Sequence, residues 1–547
     1  MAPEPFSLRG NIVEIMQQRI RPAKLTIRAG RIEKIEWEGT AVDPDLKYIS
    51  PGFIDAHVHI ESSLLTPTEF ARLAVVHGTV ATVSDPHEIA NVLGSSGVDY
   101  MLACARRTPF HFFFAAPSCV PATTFETAGA TLDANAVEEL LQREEIRYLG
   151  EMMNYPGVLH GDAEVGAKLK IARRLGKPID GHAPGLRGHD AQQYAAAGIS
   201  TDHECFAIDE ARDKLACGMK IIIREGSAAK NFDELQPLID EHPAEVMLCS
   251  DDKPPDSLVL GHINQLCARA VAAGRNVFHV LQAACHNPVQ HYKLPVGQLQ
   301  EGDAADLVVL HNLQTFEVHE TYLQGQRVAL DGVTLLPHQA AETPNNFAAV
   351  PRKPSEFEIK AASAQIRVIE ALDGQLITRE RILPAKISAG LAVSDVSRDV
   401  LKLAVVNRYR PAAPTLAFVQ NFGLQRGAIA SSVAHDSHNI IAVGVDDDDL
   451  CAAINLVIEQ RGGLAVACEN ELDVLPLPVA GLLTTADGYQ VAQHYTQLNH
   501  LVSQLGGKLA APYMTLSFLA LLVIPRLKLS DLGLFDGQEF KFVPLFV

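Results

Sequence analysis

Apolar and polar positions follow two different patterns along the chain, and the change between them marks its organisation. Between residues 51 and 296, short apolar runs typical of strands alternate with helix-like segments such as Ala163–Leu175. Eight such βα units in roughly 250 residues predict an α/β fold of the (β/α)8 TIM-barrel type. An open doubly wound sheet has the same local pattern and remains the alternative. The eight candidate strands lie near residues 53–57, 79–84, 111–116, 146–151, 178–182, 199–203, 219–223 and 245–250.

The first 50 residues instead contain short stretches in which apolar and polar positions alternate. Lys24–Ile27 and Arg31–Ile35 have this alternation and are typical of small β-hairpins. A similar stretch, Asp306–Leu310, returns after the predicted barrel. We therefore predict a split β-subdomain, residues 1–50 plus 297–340, with the barrel of residues 51–296 inserted into it.

The last third of the chain is predicted to form a separate unit. Residues 336–356 are rich in Pro, Asn and Ala, which is typical of a linker. Beyond them, residues 357–547 predict an additional C-terminal α/β or α+β domain. Within it the acidic run Asp446–Asp449 precedes a helix-like stretch, Leu450–Gln460, and is typical of N-terminal capping and of charges that complement the helix dipole.

Charge and composition then exclude several classes of protein. Lys+Arg 46 against Asp+Glu 65 gives a net charge of −19, which argues against non-specific nucleic-acid binding. The longest apolar run, Leu516–Ile524, is too short to span a bilayer, and Met1–Gln18 lacks the pattern of a signal peptide. Nine cysteines without a Cys-x-x-Cys pair suit a reducing compartment. We therefore expect a cytoplasmic protein with no nucleic-acid or membrane partner.

The most informative residues are polar ones at the ends of the candidate strands. Residues two apart on a strand face the same side, and in a barrel the carboxyl ends of all strands meet at one rim. Imidazole and carboxylate ligands suit zinc, iron(II) or manganese, and a carboxylate can bridge two ions. We therefore predict a centre for one or two divalent ions at this rim. Its ligands are His57 and His59 on the first strand, Glu151 on the fourth, His182 on the fifth, His203 on the sixth and Asp251 on the eighth.

The motifs of several other enzyme classes are missing from the sequence. His87–Asn91 resembles the His-Glu-x-x-His motif of zinc proteases but lacks its second histidine. The sequence contains neither a phosphate-binding Gly-x-x-x-x-Gly-Lys-Ser/Thr loop nor a Gly-x-Ser-x-Gly elbow. The Pro-Cys-x-x-Cys motif of cytidine-type deaminases is also absent. A deaminase built on this chain must therefore use a different fold from theirs.

Several stretches resemble a known family. Pro51–His59 is similar to the opening barrel strand of the amidohydrolase superfamily, and Gly297–Leu307 resembles the return to the β-subdomain in its deaminase and hydantoinase branches. A narrower resemblance to the adenine deaminase family covers nearly the whole chain, including the last domain. The stretches that carry it are His59–Ser63, Ser84–Val92, Gly150–Asn154, Asp180–Pro184, Asp202–Glu204, Cys249–Asp252 and His435–Asn439.

This resemblance implies a purine-salvage hydrolase that converts adenine to hypoxanthine and ammonia. It also implies a centre of two divalent ions, Mn²⁺ or Fe²⁺ in most members, with Zn²⁺ as a further possibility. Asp251 would take a proton from the attacking water and relay it to the departing amine, so Asp251 and Glu151 are the expected catalytic residues. The resemblance assigns His57, His59 and Asp251 to the more buried ion, His182 and His203 to the other, and Glu151 to a bridging position.

The chain departs from the superfamily pattern at the group that protonates ring atom N1. Several ring deaminases have a glutamate three residues after the fifth-strand histidine, where this chain has Gly185. Asp85 and His87 end the second candidate strand and are also possible metal ligands. The loop that contains His435 and His438 is predicted to cover the pocket and contact the substrate. The candidate substrate-binding residues are therefore Glu61, Asp85, His87, Glu204, His435 and His438.

Two other functions compete with this interpretation. The first is another amidohydrolase activity on a small cyclic amidine or amide, such as guanine or cytosine deamination or hydantoin opening. The second is a non-catalytic barrel that serves as a scaffold, against which the six filled ligand positions argue. The apolar C-terminal segment Phe542–Val547 is a candidate interface, and we expect a homo-oligomer.

Overall fold

A computed structural model of the chain describes residues 5–227, 230–469 and 471–547. At its centre eight parallel strands form two hydrogen-bonded groups, β1–β5 and β6–β8. The first four residues of the predicted β-subdomain lie outside the described residues. The strands are β1 (Phe53–Val58), β2 (Thr79–Ser84), β3 (His111–Ala116), β4 (Ile146–Met152), β5 (Ile179–Gly181), β6 (Thr201–Asp202), β7 (Lys220–Arg224) and β8 (Val246–Cys249).

Each of the eight strands coincides with a candidate strand of the sequence, so the predicted barrel is confirmed. The strands are buried along almost their whole length because helices cover their outer face and the barrel interior covers the other. The predicted helix after β4 is also present and begins where the Asp162 side chain accepts a hydrogen bond from the Val165 amide. The helices around the barrel are Pro67–Ala74, His87–Leu93, Ser95–Ala105, Ala134–Leu141, Tyr155–His160, Ala163–Arg174, Gly188–Ala196, Ile208–Ala216, Phe232–Leu235, Leu238–Glu241, Pro255–Leu258, Ile263–Ala272, Val277–Leu281 and Asn287–Tyr292.

Short hydrogen-bonded contacts close the two gaps between the strand groups. The Ser200 amide donates to the Ile179 carbonyl at 2.9 Å between β5 and β6. Between β8 and β1 the Asp251 amide donates to the His57 carbonyl at 3.0 Å, and the His59 amide donates to the Asp251 carbonyl at 3.4 Å. The strands therefore form a closed barrel, and the contacts that close it between β8 and β1 are made by predicted metal ligands.

A buried carboxylate reinforces this closure from inside the barrel. Asp55 of β1 accepts hydrogen bonds from the Ser250 amide at 3.0 Å and from the Ser250 hydroxyl. His262 Nε2 lies 2.8 Å from the same carboxylate. All three residues are buried, so Asp55 joins the first strand, the last strand and the helix that follows.

Strands from both ends of the barrel segment share one eight-stranded sheet. Tyr48–Pro51, which leads into β1, pairs antiparallel with Leu307–Leu310. Residues from both parts of the predicted β-subdomain therefore lie side by side. In spatial order the strands are Val333–Thr334, Gln326–Leu330, Val318–Leu323, Leu307–Leu310, Tyr48–Pro51, Phe6–Glu14, Arg19–Arg28 and Arg31–Trp37.

Residues 337–353, within the predicted linker, contain neither helix nor strand. Beyond them a second eight-stranded mixed sheet packs against helices, which makes the C-terminal region α+β. The predicted capping at the acidic run is confirmed, since the Asp446 side chain accepts from the Asp449 amide. The strands of this sheet, in spatial order, are Thr378–Pro384, Gln365–Ala371, Thr415–Gln420, Val400–Val406, Ile440–Gly444, Ala428–Ser431, Gly463–Cys468 and Glu471–Pro476, and the helices are Asp447–Glu459, Gly488–Gln504 and Pro512–Phe518.

Smaller elements complete the described chain. Two three-stranded sheets lie in the C-terminal region, and short helical turns connect the larger elements. The sheets contain Ile359–Lys360, Leu391–Val393 and Lys386–Ser388, and Leu527–Ser530, Gly533–Asp536 and Lys541–Phe542; the turns are Ile15–Gln17, Ile60–Ser63, Val75–His77, Gln282–His286, Pro354–Phe357 and Val396–Arg398. Within the described ranges, no helix has the length and apolar character needed to cross a bilayer.

The C-terminal region packs onto the side of the barrel where the strands end. The Thr484 amide donates to the Leu64 carbonyl at 2.9 Å, just after the first barrel strand. The Asn439 side chain donates to the Thr127 carbonyl, also at 2.9 Å. This packing places the loop at residues 435–439 over the rim of the barrel.

We expect Asp55→Ala to destabilise the barrel by about 3 kcal/mol, because it leaves a buried histidine and a buried amide without their acceptor. Thermal unfolding measures the effect. Asp233→Ala is the matched control, since Asp233 binds Arg269 from a side chain that is 91% exposed and surface pairs contribute little. Equal shifts in the two variants would contradict the role of Asp55 in closing the barrel.

Candidate metal centre

Six side chains that carry metal-ligand atoms converge where the barrel strands end. All of them are buried, although each has a titratable group. Because parallel strands place their carboxyl ends at one rim, residues from distant parts of the chain become neighbours here. These six are the residues that the sequence predicts as ligands: His57, His59, Glu151, His182, His203 and Asp251.

One side of the centre is formed by the first and last strands. The Nε2 atoms of His57 and His59 lie 3.2 Å apart. Asp251 Oδ1 lies 3.6 Å from the first of them and 3.3 Å from the second. Asp251 adopts a left-handed backbone conformation, with φ of 53°, which is uncommon for a residue with a side chain. The contacts that close the barrel hold it there, and such strain is typical of functional sites.

Glu151 connects this side of the centre to the other. Its Oε1 atom lies 3.3 Å from His59 Nε2. Its Oε2 atom lies 2.8 Å from His182 Nδ1 and 3.1 Å from His203 Nε2. One carboxylate thus contacts both groups of histidines with different oxygens, which is the arrangement that a bridging ligand needs.

The chemistry of this donor set fits divalent ions. Two overlapping groups have ligand atoms within 4.8 Å of one another, one with His57, His59 and Glu151 and one with Glu151, His182 and His203. One imidazole nitrogen that faces the centre, Nε2 of His203, is buried and has no hydrogen-bond partner among the described residues. Buried polar atoms normally have a partner, and a cation supplies one.

The charges of the centre lead to the same interpretation. Burial alone would raise the pKa of Glu151, but His182, His203 and His59 outweigh it and hold that pKa well below the usual value. Burial lowers the pKa of His203, yet Glu151, Glu204 and Asp251 raise it to about 10. The carboxylates therefore require positive charge nearby, which protonated imidazoles or bound cations provide.

Asp85 lies behind the centre, although the sequence places it among the candidate substrate contacts. Its Oδ2 atom accepts a hydrogen bond from the Glu151 amide at 2.9 Å. It is not among the residues that line the cleft above the centre. Gly150 allows this contact, because a Cβ atom there would come within 2.2 Å of Oδ2. Asp85 therefore supports Glu151 from below and faces away from the cleft.

Glu61 is also displaced from the cleft. Its Oε1 atom accepts from the Ile89 amide at 3.2 Å, and the residue is buried beneath the helix that carries Glu88. Burial and the charge of Glu88 raise its pKa to about 7. Glu61 lies in the short connection after β1, which runs under the helix that follows β2. The structure therefore does not support a contact between Glu61 and the substrate.

His87 and Glu204 both line the cleft, as expected for substrate contacts. His87 Nδ1 lies 3.6 Å from Glu151 Oε1, so this histidine is beside the metal centre. Glu204 Oε1 lies 3.5 Å from His182 Nδ1 and 3.4 Å from His203 Nε2. Burial opposes its ionisation, but Arg224 and His182 lower its pKa to about 2. Glu204 is therefore a permanent carboxylate.

Arg224 is a functional residue that the sequence reasoning missed. It ends β7, and its guanidinium contacts both Glu204 and Asp251. Burial raises the pKa of Asp251, but Arg224 and His59 outweigh this effect and keep it well below its usual value. A charged residue directly after the apolar run Ile221–Ile223 is the signal that could have identified it.

The opposite wall of the cleft comes mainly from the C-terminal region. Leu376, Phe518 and Leu521 provide an apolar surface there, and His435 and Asp436 provide polar groups. His438 lies behind His435 and does not line the cleft, but both histidines contact Glu88 of the barrel. Of the six candidate substrate-binding residues, the structure therefore brings His87, Glu204 and His435 to the cleft.

The closed barrel and its carboxylate-bridged histidines define a hydrolase of the divalent-metal-dependent amidohydrolase type. The model of the amidohydrolase family matches residues 48–328, and the model of the adenine deaminase C-terminal domain matches residues 375–541. The chain belongs to the adenine deaminase family of amidohydrolases. An adenine deaminase of Salinibacter ruber is 55% identical over the full length of both chains. Others, from Sulfurovum sp. and Methanosarcina barkeri, are 52% and 50% identical over 98% of this chain and 99% of their own.

We expect Gly150→Ala to lower the metal content of the purified protein, because the new methyl group displaces Asp85 and with it the backbone of Glu151. Elemental analysis after reconstitution measures the change. Gly166→Ala is the matched control, since Gly166 lies within a helix and a Cβ atom there meets nothing within 4 Å. Full metal content in Gly150→Ala would contradict the supporting role of Asp85.

We expect Arg224→Gln to reduce kcat/KM about 100-fold, within the range of a general acid–base contribution. Loss of the cation raises the pKa of Asp251, so the acid limb of the pH profile moves to higher pH. Arg269→Gln is the control, because Arg269 also binds two carboxylates, Glu225 and Asp233, but at the surface. An unchanged acid limb in Arg224→Gln would show that Arg224 does not control Asp251.

Proposed function

We infer that this protein catalyses the hydrolytic deamination of adenine to hypoxanthine and ammonia, a reaction of purine salvage. The observation that carries this conclusion is similarity to adenine deaminases over the entire chain, including the C-terminal region. The site agrees with it, because the six predicted ligands lie close together at the end of the barrel and five of them, all but His57, line one cleft. The cleft is small and enclosed by both regions of the chain, as a nucleobase requires.

The donor set supports a centre of two ions. His57, His59 and Asp251 would hold one of them, His182 and His203 the other, and Glu151 both. Bound there, divalent ions lower the pKa of water and polarise the bond under attack. We propose Mn²⁺ or Fe²⁺ as the native ions, with Zn²⁺ also compatible with imidazole and carboxylate ligands.

Asp251 is the group best placed to move protons at the reacting carbon. It remains ionised at neutral pH because Arg224 and His59 counter the effect of burial on its pKa. As a carboxylate it can take a proton from the attacking water and pass it to the amine, which then leaves as ammonia. Glu204 shares the same arginine and stays ionised, so it suits a hydrogen bond to a donor group of the base.

We also propose a cytoplasmic location and a homo-oligomeric assembly for this protein. All nine cysteines are free thiols in the structure, and eight are buried, which supports a reducing compartment such as the cytoplasm. For a homo-oligomer, Phe542 and Val547 near the C-terminus are 42% and 53% exposed and offer apolar surface. The net charge of −19 supports a small-molecule partner over nucleic acid.

We expect ammonia release from adenine to require reconstitution of the metal-free protein with Mn²⁺, Fe²⁺ or Zn²⁺. Glu151→Gln should lose both metal and more than about 1,000-fold of the activity, because it removes the ligand shared by both ions. Guanine, cytosine, adenosine and dihydrouracil are assayed in parallel. Turnover of another compound and not of adenine would show that adenine is not the substrate. A protein that neither binds metal nor turns over any of the compounds would favour a non-catalytic scaffold.

A further inference from the structure

A chain of three buried titratable residues joins the barrel to the C-terminal region beside the cleft. Glu88 comes from the helix after β2, and His435 and His438 come from the loop that covers the rim. His435 Nδ1 lies 2.6 Å from Glu88 Oε1, and His438 Nε2 contacts Glu88 Oε2. The three residues are at most 3% exposed, so their hydrogen bonds are not exchanged with bulk water.

The backbone determines which nitrogen of His438 carries hydrogen. The Ala434 amide donates to His438 Nδ1 at 3.2 Å, so Nδ1 must offer its lone pair. In the neutral ring the hydrogen is then on Nε2, which faces Glu88. Burial lowers the pKa of His438 and keeps the ring neutral. Although the ligand atoms of these three residues lie close enough for an ion, this tautomer presents an N–H group to Glu88 and not a lone pair.

Glu88 in turn determines the orientation of His435. Glu88 Oε2 faces His438, and Glu88 Oε1 accepts a hydrogen bond from His435 Nδ1. The His435 ring also stacks on Phe518, with 4.5 Å between ring centres and 13° between planes. The His435 ring is therefore held at one edge by Glu88 and on one face by Phe518. Its Nε2 atom has no partner among the described residues, and the residue lines the cleft.

Three carboxylates keep this ring protonated. Burial lowers the pKa of His435, but Glu88, Asp252 and Asp436 outweigh burial and raise it to about 9. Two other histidines contact Glu88: His438, which stays neutral, and His87, whose Nε2 atom lies 3.5 Å from Glu88 Oε1. At neutral pH His435 therefore carries an N–H group at Nε2, which has no partner among the described residues and belongs to a residue that lines the cleft.

The other candidate donors to the purine ring are less suitable. Glu204 is ionised beside Arg224, and Asp85 and Glu61 do not line the cleft. The position three residues after His182 is Gly185, which has no side chain to donate. His87 remains, but it contacts Glu151 of the metal centre at 3.6 Å.

We propose that His435 is the acid that protonates ring atom N1 of adenine, and that Glu88 and His438 are positioning residues for it. This assignment rests on the proposed function. The water oxygen adds to C6, and the electron pair of the C6–N1 double bond moves to N1, which takes the Nε2 proton. The C6–N6 bond then breaks, and ammonia leaves with one of the two water protons. The other water proton restores the imidazolium, while hypoxanthine keeps its proton on N1.

The test uses the metal-loaded full chain. His435→Gln should lower kcat about 100-fold with a much smaller change in KM, which is the effect expected for loss of an acid. Its metal content should equal that of the wild type. Added imidazole should restore part of the activity of His435→Ala, because it can occupy the vacated space, but none of that of Glu151→Gln.

A double variant tests the positioning role of Glu88. Glu88→Gln should lower kcat while KM and metal content change little. If Glu88 acts through His435, Glu88→Gln/His435→Gln should lose little more than His435→Gln alone. The matched control is His494→Gln, because His494 also binds a carboxylate, Asp473 at 2.9 Å, but lies outside the cleft.

Three results would overturn the proposal. The first is a His435→Gln enzyme within threefold of the wild type while His87→Gln loses kcat, which assigns the proton to His87. The second is a loss in His435→Gln confined to KM and without rescue by imidazole, which leaves His435 as a binding group. The third is a wild-type holoenzyme that releases no ammonia from adenine, and that result removes the proposed function as well.

Discussion

Closure of the barrel between its first and last strands is the constraint on which the active centre depends. The hydrogen bonds that join β1 to β8 are made by the backbone of His57, His59 and Asp251, the residues whose side chains form one half of the proposed metal centre. The left-handed backbone of Asp251 persists only because these bonds hold it on both sides. The same contacts therefore stabilise the barrel and fix the geometry of the site. Asp55, which lies beneath them, contributes to both.

The second constraint is electrostatic. Glu151, Glu204 and Asp251 are buried carboxylates that share histidine and arginine partners. Burial of a carboxylate without a partner costs much free energy. Histidines, Arg224 and the expected cations supply the compensating charge. These charged groups form one connected set of contacts. A change in the charge of one group therefore changes the electrostatic energy of its neighbours. Through this coupling Arg224, which is not a proposed metal ligand, is expected to influence the proposed base Asp251.

The C-terminal region completes the site from the opposite side. The barrel supplies the metal ligands and Glu88, whereas the C-terminal loop supplies His435 and His438, and neither part holds the histidine–carboxylate chain alone. Phe518 and Leu521 add apolar surface to the cleft. The similarity to adenine deaminases extends over the full length of the chain and therefore includes the C-terminal region. The candidate site of this protein is thus an interface between two regions of one polypeptide.

Local pattern was sufficient to predict the eight strands, the helix after β4, the acidic helix cap and the six residues at the strand ends, because strand period and barrel geometry are properties of short segments. The pattern could not separate residues that enter the cleft from those behind it. Asp85 and Glu61 have the same chemistry as Glu204, yet one supports the Glu151 amide and the other a helix. The partnership of Glu88 with His435, and of Arg224 with Asp251, was decided only by the tertiary structure, because contacts between residues distant in the chain depend on how the strands close and how the C-terminal region packs on them.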